Sequence, residues 1–206
     1  MDTTVRHSST PTVISQPLFT APQCIYTSCF CEENVWHMAK NIRDKGDDST
    51  LKQCFVVFVS NTHESIPLWK QKAGKDQDGF VVWDYHVFFL HASETRINQI
   101  YDLDSTLQFP CNFDEYARKS LRNEELMPEE FHRFFRVIPA KDFLESFSSD
   151  RRHMKKDDGT WMKPPPTYPP IQTSTTNHNL KVFVDMTNKT GPGRVMNYFE
   201  FVHKFS

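Results

Sequence analysis

The sequence predicts an α+β fold with a mostly antiparallel central sheet flanked by helices. Three observations carry that expectation. Val35, Met38, Ala39 and Ile42 recur at helical spacing after Cys31. Residues 54–103 hold several β-branched and aromatic runs joined by short polar connections, which favours an antiparallel meander. Beyond Pro110 the spacing turns helical again.

The elements follow in chain order. Residues 1–22 are rich in Ser, Thr and Pro and poor in apolar side chains, which predicts a mobile tail before a single domain over 23–206. A helix of about three turns is expected from Cys31 to Arg43, with Ser28 as its cap and Glu32 and Glu33 favoured in its first turn by the helix dipole. Cys54–Val59 reads as a strand, residues 60–63 as a turn and Ile66–Trp69 as a short return strand. After a polar loop at 75–79, Phe80–Leu90 is the longest strand candidate, followed by Gln99–Leu103. Asn112 is placed to cap a helix through Leu121. A short helix is expected over Pro128–Phe135, a strand at Arg136–Ile138, one or two helical turns at Asp142–Phe147 and a helix over Gly193–Phe205. Residues 148–178 read as irregular, their proline-rich stretch as an ordered surface loop packed by Trp161 and Tyr168.

Composition narrows the classes. The 206 residues suit one domain with a core of its own, and 18 Phe point to aromatic side chains as its main filling. A net charge of -2 lacks the basic surplus of a nucleic-acid binder. No segment approaches the roughly 18 apolar residues of a membrane span, and the N-terminal stretch has no apolar signal-peptide core. A soluble intracellular protein is expected, with neither nucleic acid nor membrane as partner. Cys24, Cys29, Cys31, Cys54 and Cys111 are then read as free thiols.

Cys31 sits where a thiol can do chemistry. The first turn of a helix favours thiolate, and its unpaired amides can hold an oxyanion. Glu32 and Glu33 oppose thiolate formation, so a neighbouring imidazolium is needed. His86 lies in the apolar run Trp83-Asp84-Tyr85-His86-Val87, where strand alternation puts Asp84, His86 and Phe88 on one face. Asp102 and Asp104 share a face of the following run, and Asp102 is placed to orient the His86 ring. On position alone Cys31 reads rather as an inert buried thiol and His86 as a satisfied core histidine, while Asp102 also fits a strand-end turn.

The local sequences are more specific. Ser28-Cys29-Phe30-Cys31-Glu32-Glu33-Asn34, Trp83-Asp84-Tyr85-His86-Val87, and Tyr101-Asp102-Leu103-Asp104 followed by Phe109-Pro110-Cys111 resemble the protein N-terminal glutamine amidohydrolase family. So do Ile66-Pro67-Leu68-Trp69-Lys70-Gln71, Ser149–Met154 and Pro164-Pro165-Pro166. The resemblance runs from about Cys24 to the C-terminus. It implies a papain/transglutaminase-like active-site arrangement with Cys31, rather than Cys29, as nucleophile, His86 as its base and Asp102 as the third member. It also implies conversion of an N-terminal Gln of proteins or peptides to Glu with release of ammonia. That product feeds the N-degron route through arginylation. No metal or organic cofactor is implied. The chain is expected to be a monomer in the cytoplasm and the nucleus.

An N-terminal specificity needs a reader of the free α-amine. Glu33 and Asp84 are candidates, with Tyr26, Ser28 and Trp83 as pocket walls. Two other thiol chemistries, a peptidase and a transglutaminase, use the same three residues. A zinc-stabilised binding module on Cys24, Cys29, Cys31 and His37 has the wrong ligand spacing. An adaptor role rests on the 164–170 stretch alone.

Overall fold

The computed structural model describes residues 16–94, 97–125 and 127–206. Its centre is strand β1 (Cys54–Ser60), an apolar run buried on both faces. Val56 and Phe58 point into one cluster of core residues, Val57 and Val59 into the other, so the run shows no polar alternation. Strands β2 (Ile66–Leu68), β3 (Val81–Trp83), β4 (Tyr85–His91), β5 (Gln99–Tyr101), β6 (Cys111–Asn112), β7 (Phe134–Pro139) and β8 (Arg194–Asn197) follow. Six of them form one sheet in the order β6-β5-β4-β1-β7-β8. Every neighbouring pair is antiparallel, with Val59 opposite both His86 and Phe135.

Helices cover both faces. On one lie α1 (Cys31–Asp44), α2 (Asp48–Lys52), α4 (Ala140–Ser146) and α5 (Leu180–Val184). Met38, Ile42, Leu51, Phe143 and Phe183 pack there on Val56, Phe58 and Phe89. On the other lie α3 (Phe113–Tyr116), a π-helical continuation through Leu121, and α6 (Tyr198–Phe205). Phe113, Tyr116, Phe201 and Phe205 meet Val57, Phe88 and Phe135 there, and the Phe135 and Phe201 rings stack at 4.3 Å. The aromatic filling expected from 18 Phe is thus divided between two layers.

The α+β fold and its antiparallel sheet agree with the sequence. Several elements differ from it. The long strand expected over Phe80–Leu90 breaks at Asp84. The Asp84 carboxylate accepts the Tyr85 amide at 2.9 Å, and the Asp84 carbonyl accepts the Ser60 hydroxyl at 3.0 Å. These bonds replace ladder pairing at the point where the chain leaves β2 for β1. The return strand β2 accordingly pairs with β3 in a separate two-stranded sheet. Pro128–Phe135 is a single 3₁₀ turn, Glu129–Phe131, running into β7. The helix expected over Gly193–Phe205 starts only at Tyr198, where Asn197 and Glu200 form a capping box, and the residues before it are strand β8. Gly193 takes φ +70°, and a Cβ there would lie 2.3 Å from the Val137 carbonyl oxygen.

The first 15 residues of the expected tail lie outside the described residues. The tail boundary at 22 is too late: Phe19 is 3% exposed in the core and meets the Tyr101 ring edge-on at 5.7 Å. Two buried arginines fix other connections. Arg136 donates to the carbonyls of Phe183, Asp185, Asn188 and Pro192, which anchors the chain after α5. Arg133 pairs with Glu124 and ties Pro67, Leu121 and Arg122 by their carbonyls.

Candidate active site

The loop before α1 sets the position of Cys31. Cys29 takes φ +67°, and Phe30 is fully buried. The Asn34 carboxamide clamps Thr27, accepting its N–H at 2.8 Å and donating to its carbonyl at 3.0 Å. The expected Ser28 cap is not made; Phe30 occupies the cap position and no side chain bonds the first turn there. The amides of Glu33 and Asn34 return to the Phe30 carbonyl. Those of Cys31 and Glu32 are left at the positive end of the helix, where an oxyanion would gain most.

Cys31 opens on a cleft of about 390 Å³ that it shares with Cys29, Trp83, Asp84, His86 and Asp104. His86, the second residue of β4, is 2% exposed and stacks on the Trp83 ring at 6.0 Å. Its Nε2 stands 3.1 Å from Oδ1 of Asp102, just beyond the end of β5. The sheet thus joins His86 to Asp102, and the cleft joins Cys31 at the start of α1 to His86.

Charge is the main difficulty of the site. Burial pushes the Cys31 thiol well above its usual range, and the Glu32 and Asp104 carboxylates push it further, against one hydrogen bond from the Val87 amide. Burial alone would lower the His86 ring. Asp102, by charge and hydrogen bond, then Asp104 and Glu32, outweigh it and raise the ring above its ordinary value. Burial likewise works to raise Asp102. The His86 charge and hydrogen bond, the Tyr116 hydroxyl and the Asp104 amide outweigh it, and the carboxyl lies below its ordinary range. An imidazolium held by a carboxylate is thus the favoured state next to a thiol that resists ionising.

Residues that the sequence did not single out support the pair. Tyr116 donates its hydroxyl to Asp102 Oδ2 at 2.8 Å, and Gln71 approaches the same oxygen at 3.4 Å. Gln71 is held by backbone pairing with Gly79, at φ +61°, where a Cβ would lie 2.9 Å from the Gln71 backbone. Glu32 is fully buried, accepts the Tyr85 hydroxyl at 3.2 Å and lies 3.5 Å from His153. Only the motif around Gln71 and the placement of Tyr116 in a capped helix were visible beforehand; neither pointed to Asp102.

The candidate substrate residues fare unequally. Trp83 and Asp84 line the cleft. Tyr26 reaches it through Asp104, donating its hydroxyl to Oδ1 at 2.7 Å. Ser28 neighbours the Cys29 sulfur, at 3.6 Å, and the Tyr26 hydroxyl, and is not among the residues lining the cleft. Glu33 is a correction. It is fully buried, and Arg151 grips both its oxygens at 2.9 and 2.8 Å, so neither is open to an amine. Arg151 also donates to the carbonyls of Pro166 and Pro169 and stacks on Tyr168, which fastens the proline-rich loop to the first turn of α1.

Among the described residues, one group has the ligand spacing of a metal site: His86, Asp102 and Asp104, with ligand atoms within 4.8 Å of one another. The Tyr116 hydroxyl and the Asp104 amide already occupy the two Asp102 oxygens, and the Tyr26 hydroxyl occupies one oxygen of Asp104. Cys24, Cys29, Cys31 and His37 form no such group; His37 packs instead on the Tyr168 ring at 4.3 Å.

Comparison with known proteins agrees with the motifs. The N-terminal glutamine amidase family matches residues 26–205. Proteins named protein N-terminal glutamine amidohydrolase from Drosophila ananassae, Drosophila willistoni and Drosophila pseudoobscura pseudoobscura are each 48% identical over 182 residues, covering 88% of this chain and 88% of theirs. The chain belongs to the N-terminal glutamine amidase family.

Proposed function

We propose that the chain is a thiol amidohydrolase that converts an N-terminal Gln of proteins or peptides to Glu and releases ammonia. The observation that carries the reading is the opening of a helix-start thiol and a buried His86–Asp102 pair on one cleft. Cys31 passes its proton to His86 and attacks the side-chain carboxamide carbon. The amides at the start of α1 take the developing oxyanion. His86 returns the proton to the departing ammonia, leaving a thioester on Cys31. His86 then removes a proton from water as it adds to the thioester, and the thiol and the Glu side chain are released. Asp102 orients His86 by facing its Nε2, which leaves Nδ1 as the nitrogen that exchanges protons with the thiol. None of these steps calls for a metal or an organic cofactor.

The arrangement we infer is papain/transglutaminase-like: thiol at a helix start, base on a strand, carboxylate at the end of the neighbouring strand. The product Glu would enter the N-degron route by arginylation. We place the enzyme in the cytoplasm and nucleus, as a monomer without nucleic-acid or membrane partners. Among the described residues no helix is long and apolar enough to cross a membrane.

The test is a Gln-initiated peptide with the wild-type protein and the Cys31→Ala variant side by side. The wild type is expected to release ammonia with a mass gain of about one unit, and the variant to do neither. Cys29→Ala should stay folded and partly active. Peptide cleavage or lysine cross-linking in place of the mass gain would overturn the reading.

A further inference from the structure

We propose that Asp104 is the residue that binds the substrate's α-ammonium group, and so sets the demand for an N-terminal Gln. The proposal rests on the amidohydrolase reading above and deepens it.

The buried carboxylates of this protein otherwise have partners within reach. Glu33 has Arg151, Glu124 has Arg133, Asp102 has His86, and Glu32 has His153 at 3.5 Å. Asp104 is half-buried in the cleft wall, and no cation lies within ion-pair distance of it among the described residues. Its one side-chain partner is the Tyr26 hydroxyl on Oδ1, a neutral donor that fixes the carboxylate without neutralising it. Lys72, the lysine whose charge acts on Asp104, is committed to the Leu103 carbonyl at 2.7 Å and the Tyr26 ring. The backbone on both sides is fixed as well: the Asp104 amide donates to Asp102 Oδ1 at 2.9 Å, and its carbonyl accepts the Lys72 amide at 2.7 Å. The His86 charge acts on Asp104 too, but that ring is held by Asp102 at 3.1 Å, and a rigid anion facing the cleft without an ion-pair partner of its own is a site prepared for one.

The spacing suits Gln. The Asp104 carboxylate lies within 4.8 Å of the ligand atoms of His86 and Asp102. Four bonds separate the α-nitrogen of Gln from its carboxamide carbon, a span of about 5 Å when extended. An ammonium on Asp104 therefore leaves the carboxamide within the cleft that Cys31 and His86 also line. The other two acids of the lining, Asp84 and Glu64, are exposed, and water already screens their charge. Binding also relieves the thiol. After burial and Glu32, Asp104 is the next group that holds Cys31 protonated. A bound ammonium offsets that charge only when the right substrate is present. An internal Gln or an acylated terminus brings no cation and leaves the carboxylate uncompensated.

The test compares a Gln-initiated peptide with its N-acetylated twin, using wild type, Asp104→Asn, Asp104→Glu and Asp84→Asn. Wild type should strongly prefer the free amine. Asp104→Asn is expected to raise KM for the free-amine peptide about 10- to 100-fold, with a smaller change in kcat, and to collapse the preference over the acetylated peptide. Asp104→Glu, which keeps the charge, should keep the preference. A purely structural role for Asp104 would depress both peptides equally, and that result overturns the proposal. So does loss of preference in Asp84→Asn with Asp104→Asn unaffected. If Asp104→Asn does not fold, Tyr26→Phe takes its place: a selective rise in KM for the free amine supports the proposal, and an unchanged ratio overturns it. A wild type that releases no ammonia from either peptide brings down the amidohydrolase reading itself, an outcome separate from a mere loss of preference.

Discussion

Glu32 is the residue whose position most shapes the chemistry. It follows the thiol in sequence, is fully buried, and its charge raises both Cys31 and His86. Productive reaction requires one proton to leave the thiol–imidazolium pair, and a negative neighbour makes that loss harder. Replacing Glu32 with Gln removes the neighbour's charge, which lowers both groups. The acid limb of kcat/KM is therefore expected to move to lower pH in Glu32→Gln, as read from a pH–rate profile on a Gln-initiated peptide. A limb that stays or moves up would show that Glu32 does not burden the pair. The adjacent Glu33 works differently. Its pair with Arg151 is buried on both sides, 5% and 0% exposed. Arg151→Met strands a buried carboxylate and should cost about 3–5 kcal/mol in a urea unfolding measurement, with Glu33→Met added to it recovering part of the loss. Cys31, His86 and Asp102 stand out in the sequence because each lies in a distinctive local motif, and the fold places Cys31 and His86 on one cleft with Asp102 behind His86. Glu33 was misread as an amine binder because its partner lies 118 residues away. No local pattern reports that distance.

Among the elements, α3 links fold to chemistry most directly. Asn112 accepts the amides of Asp114 and Glu115 and so starts the helix that presents Tyr116 to Asp102. Asn112→Ala should lower stability by about 1 kcal/mol, read as a fall in melting temperature. The same cap was legible in the sequence, since Asn before a helical pattern has few other readings. So was β1, whose unbroken apolar run reflects burial on both faces. Other elements were hidden for physical reasons. β8 has four residues, two of them exposed Arg194 and Asn197, and exists because β7 offers an edge to it. The break at Asp84 depends on the Ser60 hydroxyl reaching across from β1, which the local sequence cannot express. That break matters for the site, since it leaves Asp84 on the cleft rim while His86 stays in the ladder.

At the scale of the molecule, the described chain is a six-stranded sheet with a helical layer on each face and a small two-stranded sheet beside it, and the cleft opens where the start of β4 meets the start of α1. The segment before α1 belongs to this body. The Leu18 amide donates to the Tyr101 hydroxyl at 2.8 Å, and Phe19 is core. Deleting residues 1–15, which are poor in apolar side chains, is expected to leave the melting temperature unchanged. Deleting 1–20 also removes Phe19, and the loss should approach the roughly 3–5 kcal/mol typical of a core Phe→Ala change. Equal melting temperatures for the two truncations would place Phe19 outside the cooperative core.

The Arg151 clasp on Glu33 has a consequence for biosynthesis. Cys31, the proposed nucleophile, comes early in the sequence, yet Glu33 in the first turn that carries it is seated by a guanidinium 118 residues downstream, itself held by the loop at Pro166 and Pro169. A ribosome delivers Cys31 long before it delivers the residues that fix it. A chain released early therefore carries the thiol without its setting, and the reactive centre matures only when the last quarter of the polypeptide arrives.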